Sequence, residues 1–522
     1  MQNTPQADRS YSRRIRAWSF YDWANHAYIT TTASTFFPPF FIAIAAPAFL
    51  LAGKVAGDAD AMALARDTAS NVYALSVSLA LFAAAILAPI IGTLADITGR
   101  RKRFLLLATG AGGILASMMF VLTTGMWQLA LVLYILTQVA MNIALGLSSS
   151  LLPHVAHPAD LNRVSSQGYA MGYIGGGVLL ALNTVLYLFS DKIGLDSGTA
   201  VRIAFLTVGI WWIGFSVPLA LRVPEPPATP LAHSTTGSAI RDTFVRLGHT
   251  VKDIRHYSEL FKMLIAFWFY MEGIGAIILL ATAYGAALGL DTAVLIGTLL
   301  LTQFVAFPYA LIYGRIPNPE NKARASYVSM LIWTGVTLPL IGVYANLTGA
   351  LNIPATFAAI AIDQIAGVLF SAFIGRRLFK GLSERLNAKR AIILGLLIYT
   401  IIPLWGFVLR SQAEFFMIGW LVGTVQGGTQ ALSRSLFSSL SPRAKSGEFF
   451  GLYGLSEKFA GILGPLLYGI VGQITGNPRA SVFSISVFFV IGIFLLSRIN
   501  EVKGAEIASA EEAQIELAHA AD

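Results

Sequence analysis

Two carboxylates stand inside long apolar runs, where a charged group is unfavourable. Asp22 and Glu272 each come just after a Phe-Tyr pair, early in such a run. A carboxylate in hydrocarbon has to face the interior of a helical bundle or a water-filled cavity. We expect both to border a central cavity, where they could bind a substrate ammonium or load and release a coupling proton. The alternative is that each bonds a neighbouring helix and only holds packing.

Two polar neighbours extend the candidate site around Asp22. Asn25 lies three residues further on, on the same helix face, and could complete a polar site. His26 lies one turn from Asp22 and could be its proton partner; the alternative for a lone histidine is simple packing or contact with water. Asp22, Asn25, His26 and Glu272 are therefore the predicted substrate or proton-coupling residues.

Other chemistries find no support in the sequence. The chain has no cysteine and seven scattered histidines, which excludes thiolate catalysis and predicts no metal site. The glycines between residues 172 and 176 lie inside an apolar run rather than after a strand, so they do not form a phosphate loop. Without a nucleotide-binding motif, we predict that the protein is not an enzyme and uses no cofactor.

The composition indicates a membrane protein. Of 522 residues, 56% are hydrophobic and only 12% are charged, and the mean hydropathy is +0.67. Soluble domains have roughly 25% charged residues. Charge-free windows long enough to cross a bilayer recur along the chain, and their continuous apolar character favours helices over a barrel, whose strands alternate.

The apolar windows predict fourteen spans, six before a central loop and eight after it. We place them at about residues 17–51, 68–95, 104–124, 127–151, 166–190, 203–221, 263–287, 292–313, 325–346, 354–375, 391–409, 415–438, 449–472 and 480–497. With the N-terminus inside, only six of the 36 Lys and Arg residues lie in outside loops. This asymmetry follows the positive-inside rule and predicts that both termini are cytoplasmic.

A charged loop after the second span returns in the second half. GTLADITGRRKR begins at Gly92, and KGLSERLNAKR begins at Lys380. Each is followed at nearly equal distance by a proline and a Gly-rich span, which indicates two homologous bundles. The predicted gating residues of these loops are Gly92, Asp96, Gly99, Arg100, Arg101, Glu384, Arg385, Lys389 and Arg390.

The second half is longer than the first, by enough for one extra helical pair. The predicted organisation is an N-terminal six-helix bundle (1–222), a cytoplasmic linker with a basic amphipathic helix (223–262), a C-terminal bundle (263–500) and an acidic cytoplasmic tail (501–522). We place the inserted hairpin at about 320–376. The predicted fold is therefore all-α, with two pseudo-symmetric six-helix bundles and an inserted two-helix hairpin.

Several motifs resemble a known family. GTLADITGRRKR resembles the signature loop between the second and third helices of the major facilitator superfamily. WSFYDWANHAY from Trp18, GYAMGYIGGG from Gly168, QFVAFPYALIYG from Gln303 and VQGGTQALSRS from Val425 resemble its vacuole-effluxer-like branch, the autophagy-linked fungal vacuolar amino-acid exporters and their bacterial relatives. The resemblance implies the facilitator fold, a loop that latches the outward-open state, and amino acids or similar zwitterions as substrates. His26 and Met271-Glu272 depart from residues usual in that family.

We therefore predict a secondary active transporter of a small solute that works by alternating access, with amino-acid efflux or proton coupling as its expected form. It would be a monomer in the cell inner membrane, with lipid, a small solute and protons as partners. Nucleic acid is excluded as a partner, because the basic residues sit in short loops between spans. The alternatives are a non-transporting sensor or scaffold on a facilitator frame, and a lipid or drug exporter with a more apolar cavity.

Overall fold

The computed structural model describes residues 5–50, 59–228, 241, 243–245, 256–349, 352–459 and 461–521, and this part of the chain is helical with no strand. Its α-helices are α1 (Pro5–Ala27), α2 (Phe37–Ala45), α3 (Ala59–Thr98), α4 (Arg101–Met118), α5 (Trp127–Ser150), α6 (Leu152–Val155), α7 (Leu161–Leu188), α8 (Ser197–Arg222), α9 (Ser258–Ala287), α10 (Thr292–Tyr313), α11 (Arg324–Thr348), α12 (Ile353–Phe370), α13 (Arg376–Leu378), α14 (Lys380–Glu384), α15 (Ala388–Val408), α16 (Gln412–Leu440), α17 (Ser446–Phe459), α18 (Leu463–Thr475), α19 (Pro478–Ser484), α20 (Ser486–Ser497) and α21 (Glu501–Ala521). Two π-helices, Tyr28–Phe36 and Ser371–Gly375, follow α1 and α12, and short 3-10 helices lie at Ala46–Phe49, Met119–Val121, Pro158–Asp160, Asp191–Ile193 and Arg443–Lys445.

Side-chain caps determine where several helices begin. Asp196 accepts a hydrogen bond from Thr199 N at the start of α8 (2.9 Å), and Asn387 caps α15 in the same way. At α16, Ser411 and Glu414 cap each other's backbone N–H groups reciprocally. Such side chains satisfy the N–H groups that a helix start leaves without partners. These helix starts are therefore encoded by local sequence.

Eleven of the described helical segments are long and apolar enough to cross a membrane, and two further apolar helices, Gly297–Tyr313 and Leu463–Thr475, are shorter. Helix α16 stands at the twelfth predicted span but is not among the eleven, since it carries many buried polar residues. The thirteenth predicted span is divided between α17 and α18. The all-helical membrane fold is thus confirmed, whereas the number of fourteen spans stays a prediction.

One compact unit consists of residues 1–155, 174–250 and 444–455. It combines α1 to α6, the later part of α7 and α8 with the start of α17 from the second half. Its interior is aromatic: Phe37 stacks on Tyr134 with 4.4 Å between ring centroids, and Tyr28 stacks on the buried Trp212 at 5.6 Å. Most of the predicted linker helix of residues 240–254 lies outside the described residues, and positions 241 and 243–245 are helical.

A second compact unit consists of residues 156–173, 251–443 and 456–522. Helix α10 packs along α16, and the hairpin of α11 and α12 packs beside them. Polar side chains attach the hairpin: Tyr309 donates to Gln364 Oε1 (2.6 Å), and Trp333 Nε1 donates to Asp363 Oδ1 (3.1 Å). Asp363 is thereby buried with hydrogen-bond partners inside this unit.

The predicted acidic tail forms helix α21, which packs against α9 and α16 of the second unit. Asn500 N donates to Glu259 Oε2 (2.7 Å) just before the helix begins, and Tyr257 donates to Glu511 further along. Gly504 lies against Leu440, so closely that a Cβ at this position would collide with the leucine side chain. The tail helix is therefore a packed element of the second unit.

Candidate functional site

The first predicted site lies where α1 gives way to a π-helix. The run Tyr28–Phe36 has three consecutive threonines and is followed by two prolines, which lack the N–H that an α-helix needs. Thr30 Oγ1 donates to His26 O (3.0 Å) and to Gly176 O of α7 (3.2 Å). Irregular turns of this kind are frequent at functional sites, and this one directly follows the predicted residues of α1.

Asp22 and Asn25 are completely buried in the first unit, and His26 is partly buried. His26 Nδ1 lies 3.0 Å from Asn25 Oδ1 and 3.1 Å from the backbone oxygen of Asp22. Because both partners are oxygen acceptors, Nδ1 carries the hydrogen and donates it. The structure thus brings Asn25 and His26 together as a hydrogen-bonded pair next to Asp22.

A polar row on α5 in the same unit was not predicted. Gln138 Nε2 donates to Tyr134 Oη (3.2 Å), and Asn142 Nδ2 donates to the backbone oxygen of Gln138 (2.7 Å). Tyr134 also lies 3.2 Å from Tyr73, hydroxyl to hydroxyl. The signal for this row was present in the sequence, because residues four apart share one face of a helix. These side chains give the unit a buried polar surface.

Buried hydroxyls continue this polar surface along the π-helix. The side-chain oxygens of Tyr28, Thr31 and Thr32 are completely buried and make no hydrogen bond within the described part of the chain, and the same holds for Asn25 Nδ2. Buried polar groups are rarely left without partners. The row therefore has the donors and acceptors to bind water or a small polar solute.

Glu272 is the predicted residue of the second unit, and it is completely buried in α9. Its Oε2 accepts a hydrogen bond from Gly464 N (2.9 Å), at the start of α18. A helix start carries partial positive charge, which stabilises a carboxylate there. Its Oε1 is also buried and makes no hydrogen bond of regular geometry with the described residues, although the Trp268 side chain and the N–H groups of Ile462 and Leu463 also interact with the carboxylate. Glu272 thus attaches α9 to the break between α17 and α18.

The two carboxylates do not occupy the same position in the repeat. A Cβ at Gly464 would lie 2.7 Å from the backbone oxygen of Glu272, and a Cβ at Gly175 would lie 2.6 Å from that of Trp23. In each half, a glycine therefore lies against the backbone oxygen of one residue of an earlier helix. That residue is Glu272 in the second half and Trp23 in the first, one position beyond Asp22. Because successive helical residues point about 100° apart, the two acids leave their helices in different directions.

Two predicted gating residues of the first loop, Asp96 and Arg101, form a buried charge cluster. Asp96 is completely buried and accepts hydrogen bonds from Gly447 N and Glu448 N, each at 3.0 Å. Arg101 is also completely buried, pairs with Asp96, and donates to the backbone oxygen of Ala444 (2.8 Å). We call these five residues the Asp96 cluster. All lie in the first unit, and the carboxylate occupies the positive start of α17.

Neighbouring residues make the Asp96 cluster possible. A Cβ at Gly92 would collide with the backbone oxygen of Gly447, so this glycine permits the close approach of α17. Gly99 has a positive φ of 62°, which glycine adopts readily, and Arg100 is exposed. His154 has Nε2 2.8 Å from Arg101 Nη1 and 3.2 Å from Ser446 Oγ.

The corresponding loop of the second unit is built differently. Glu384 and Arg385 are exposed, and Arg390 donates to the backbone oxygen of Arg385 (2.6 Å). Lys389 Nζ instead donates to the backbone oxygen of Ile499 (2.7 Å), just before α21. Among the described residues, no group of three or more His, Asp or Glu side chains could hold a metal ion.

Comparisons with known proteins agree with this architecture. A family model described as "Vacuole effluxer Atg22 like" matches residues 11–358 and 355–509. An uncharacterized MFS-type transporter of Bacillus subtilis, YxiO, is 28% identical over 502 residues, which cover 96% of this chain and 98% of the relative. Autophagy-related protein 22-1 of Aspergillus fumigatus is 26% identical over 376 residues, or 67% of this chain, and the match spans only 50% of that longer protein.

Solved structures with the same fold are major facilitator transporters. The human organic anion transporter MFSD10 matches with a TM-score of 0.57 at 12% identity, over 95% of this chain and 100% of the other. The proton:xylose symporter XylE matches with a TM-score of 0.57 at 11% identity, over 96% and 99%. At these identities the likeness concerns the fold alone. Together with the family match, it confirms the predicted resemblance: the chain belongs to the vacuole effluxer Atg22-like family, as a multi-pass helical membrane protein of the major facilitator superfamily with a role in membrane transport.

Proposed function

We propose that this protein is a secondary active transporter that moves a small solute through the cell inner membrane by alternating access and couples the movement to protons. The proposed substrates are amino acids or similar small zwitterions. Both termini would lie in the cytoplasm, and the working unit would be a monomer. The observation that carries the proposal is the state of Glu272, a fully buried carboxylate with one oxygen on a helix start and the other without a hydrogen bond of regular geometry.

Proton coupling follows from what each form of Glu272 can do. The ionised carboxylate is stabilised by Gly464 N and by the positive start of α18. A proton bound at Oε1 removes the charge and weakens this attachment. Protonation would therefore release α18 from α9, and loss of the proton would attach it again. Broken helices beside a central site are the elements that move in many secondary transporters.

The Asp96 cluster supports alternating access. It joins the end of α3 and the start of α4 to the start of α17 through two backbone N–H groups and one buried arginine. These contacts are charge-assisted and therefore strong, yet they depend on one carboxylate and can break together. We propose that they hold the outward-open state and break when the transporter turns inward.

Uptake of labelled amino acids into proteoliposomes, with and without a pH gradient, tests the proposal. Coupling free energies of about 1–3 kcal/mol correspond to about 5–150-fold effects, so we expect a pH gradient to stimulate wild-type uptake by a factor in that range. Glu272→Gln should abolish this stimulation. Asp22→Asn is expected to lower uptake as well. The matched control is Asp363→Asn, since Asp363 is a buried membrane carboxylate held by Trp333 and Gln364 in the inserted hairpin.

The control should transport with unchanged pH dependence. If Glu272→Gln and Asp22→Asn both kept wild-type uptake and pH dependence, the assignment of these acids would be wrong. If the wild-type protein bound amino acids but moved none across the bilayer, a sensor or scaffold on the facilitator frame would replace the transporter.

A further inference from the structure

A basic surface lies where the hairpin of α11 and α12 ends, within the second unit. Among the fifteen residues from 376 to 390, six are Lys or Arg and one is acidic, which gives a net charge of +5. Arg376, Arg377 and Lys380 are exposed, and their side chains make no hydrogen bond or ion pair with the residues that the structure describes. We call these three residues the basic patch. Their charges are therefore available to an anionic ligand.

An apolar stripe on one side of α12 leads directly to the basic patch. It consists of four large side chains at spacings of three or four residues, which is the spacing of one helix face: Ile362, Ile365, Leu369 and Phe373. Each is between 53% and 74% exposed, and they belong to an apolar span that ends at Leu378. Because an exposed apolar face of a membrane-spanning helix contacts acyl chains, the basic patch lies at the end of a lipid-facing surface.

Contacts with α11 hold the basic patch in place. Ser371 Oγ donates to Ser329 Oγ of α11 (3.0 Å), and a Cβ at Gly375 would collide with the same serine side chain. After the patch, Arg324 at the buried start of α11 donates to the backbone oxygen of Leu386 (2.8 Å). The backbone is thus attached to α11 both before and after the patch, so the three charges share a fixed platform.

The first unit uses the basic residues of its repeated loop differently. Arg101 pairs with the buried Asp96, and Lys102 Nζ donates to the backbone oxygens of Ala220 (3.3 Å) and Val223 (2.9 Å). These charges are bound by the protein itself. The two arginines of the basic patch precede the repeated loop of the second half and belong to the hairpin. The patch is therefore an addition to the repeat, and its charges are not used for internal contacts.

We propose that the basic patch and the apolar stripe together form a binding site for an anionic phospholipid. Its phosphate would lie at Arg376, Arg377 and Lys380, and its acyl chains would lie along the stripe. Clusters of basic residues just beyond a membrane span attract anionic lipids, and guanidinium groups match the geometry of phosphate oxygens. This site goes beyond the proposed transport function, and it gives the hairpin a ligand of its own.

Native mass spectrometry of the full-length protein in detergent tests this, with phosphatidylglycerol or phosphatidylcholine of identical acyl chains added. Both lipids offer the same chains, but only phosphatidylglycerol has a net negative charge. Each basic residue near an anionic lipid surface strengthens binding about fivefold. We therefore expect the wild type to bind the first phosphatidylglycerol at least about tenfold more tightly than phosphatidylcholine. Arg376→Gln/Arg377→Gln/Lys380→Gln should reduce this preference to less than about twofold.

A matched control separates the site from charge alone. Arg9→Gln/Arg13→Gln/Arg16→Gln removes three exposed charges from α1, whose described side chains include no exposed large apolar residue. This variant should keep the full preference of the wild type, because it has charges without a stripe. If the triple variant of the patch fails to fold, Lys380→Gln alone should weaken phosphatidylglycerol binding by about fivefold and leave phosphatidylcholine binding unchanged.

Several outcomes would overturn the proposal. These are equal binding of the two lipids by the wild type, a preserved preference in the patch variants, and an equal loss of preference in the α1 control. Displacement of the lipid by an equal concentration of soluble glycerol phosphate, or a dimer that covers the patch and excludes lipid, would do the same. The result is separable from the proposed function. Lipid preference without uptake into proteoliposomes would contradict only transport, and uptake without lipid preference would contradict only this site.

Discussion

The two repeated loops of the chain have similar residues but different surroundings. Asp96 in the first loop is completely buried on the start of α17 and pairs with the buried Arg101. Glu384 in the second loop is exposed, as is Arg385. A shared pattern of charges therefore does not imply a shared role, since the charge matters only where a helix start comes close enough to bind it.

A glycine explains much of the difference. In the first loop, Gly92 has no side chain to keep α17 away, and the backbone of Gly447 occupies the space that a Cβ would need. In the second loop, Gly381 stands near the corresponding position, where a Cβ would meet nothing within 4 Å, and its neighbour is Lys380. The second loop instead uses Lys389 to hold the segment before α21. Duplication preserved the loops, whereas close helix contact was retained in only one.

The largest effect is expected from removing the charge of Asp96. Asp96→Asn leaves Arg101 buried without its carboxylate, and breaking such a pair typically costs about 3–5 kcal/mol. We expect the purified variant to unfold at a clearly lower temperature and proteoliposome uptake to fall by at least an order of magnitude. Glu384→Gln should change both by little, because exposed ion pairs contribute only about 0–1 kcal/mol. Equal losses in the two variants would contradict the comparison.

The membrane carboxylates show a second difference between the halves. Asp22 lies near Asn25, His26 and a row of buried hydroxyls, whereas Glu272 lies on a helix break. Their backbones nevertheless share a register, because a Cβ at Gly175 and a Cβ at Gly464 would meet the carbonyl oxygens of Trp23 and Glu272 at similar distances. The repeat thus preserves the packing of two helices, and the acid has moved by one position along the first of them.

Two alanine substitutions measure this shared packing. A Cβ would lie 2.6 Å from Trp23 O in Gly175→Ala and 2.7 Å from Glu272 O in Gly464→Ala. Overpacking of this kind typically costs about 1–3 kcal/mol, so we expect both variants to unfold at lower temperatures by similar amounts. Only Gly464→Ala should also change the pH dependence of uptake, because its N–H binds Glu272. A control is Gly454→Ala, where a Cβ would meet nothing within 4 Å.

The sequence predicted the helices well because length and apolar character are local properties. Helices α11 and α12 occupy the region where the inserted pair was placed from spacing alone. The π-helix after α1 was not predicted, although the threonines and prolines that accompany it were visible. Such residues permit an irregular turn without requiring one, and neighbouring helices decide which forms.

The sequence does not identify the hydrogen-bond partners of the site residues. Asp96 binds the backbone of Gly447, and Glu272 binds that of Gly464. Backbone N–H groups have no side-chain signature, so the residue type does not predict which of them bind a carboxylate.

The smallest effect is expected where the second loop meets the tail, at Glu501. Burial raises the pKa of the Glu501 carboxyl, with the nearby Lys389 acting in the opposite direction. Because the folded protein therefore binds this proton more tightly than the unfolded chain, the ionised group opposes folding at neutral pH, and this penalty disappears as pH falls to the ordinary carboxyl pKa. Glu501→Gln should raise the unfolding temperature slightly at pH 7 and leave it unchanged near pH 4, as measured by thermal unfolding of the purified protein. Glu506→Gln on the exposed face of the same helix is the control and should change the unfolding temperature at neither pH. A lower unfolding temperature of Glu501→Gln at pH 7 would contradict the prediction. It would show that Lys389 stabilises the ionised Glu501 strongly enough for the second loop to form a charge cluster.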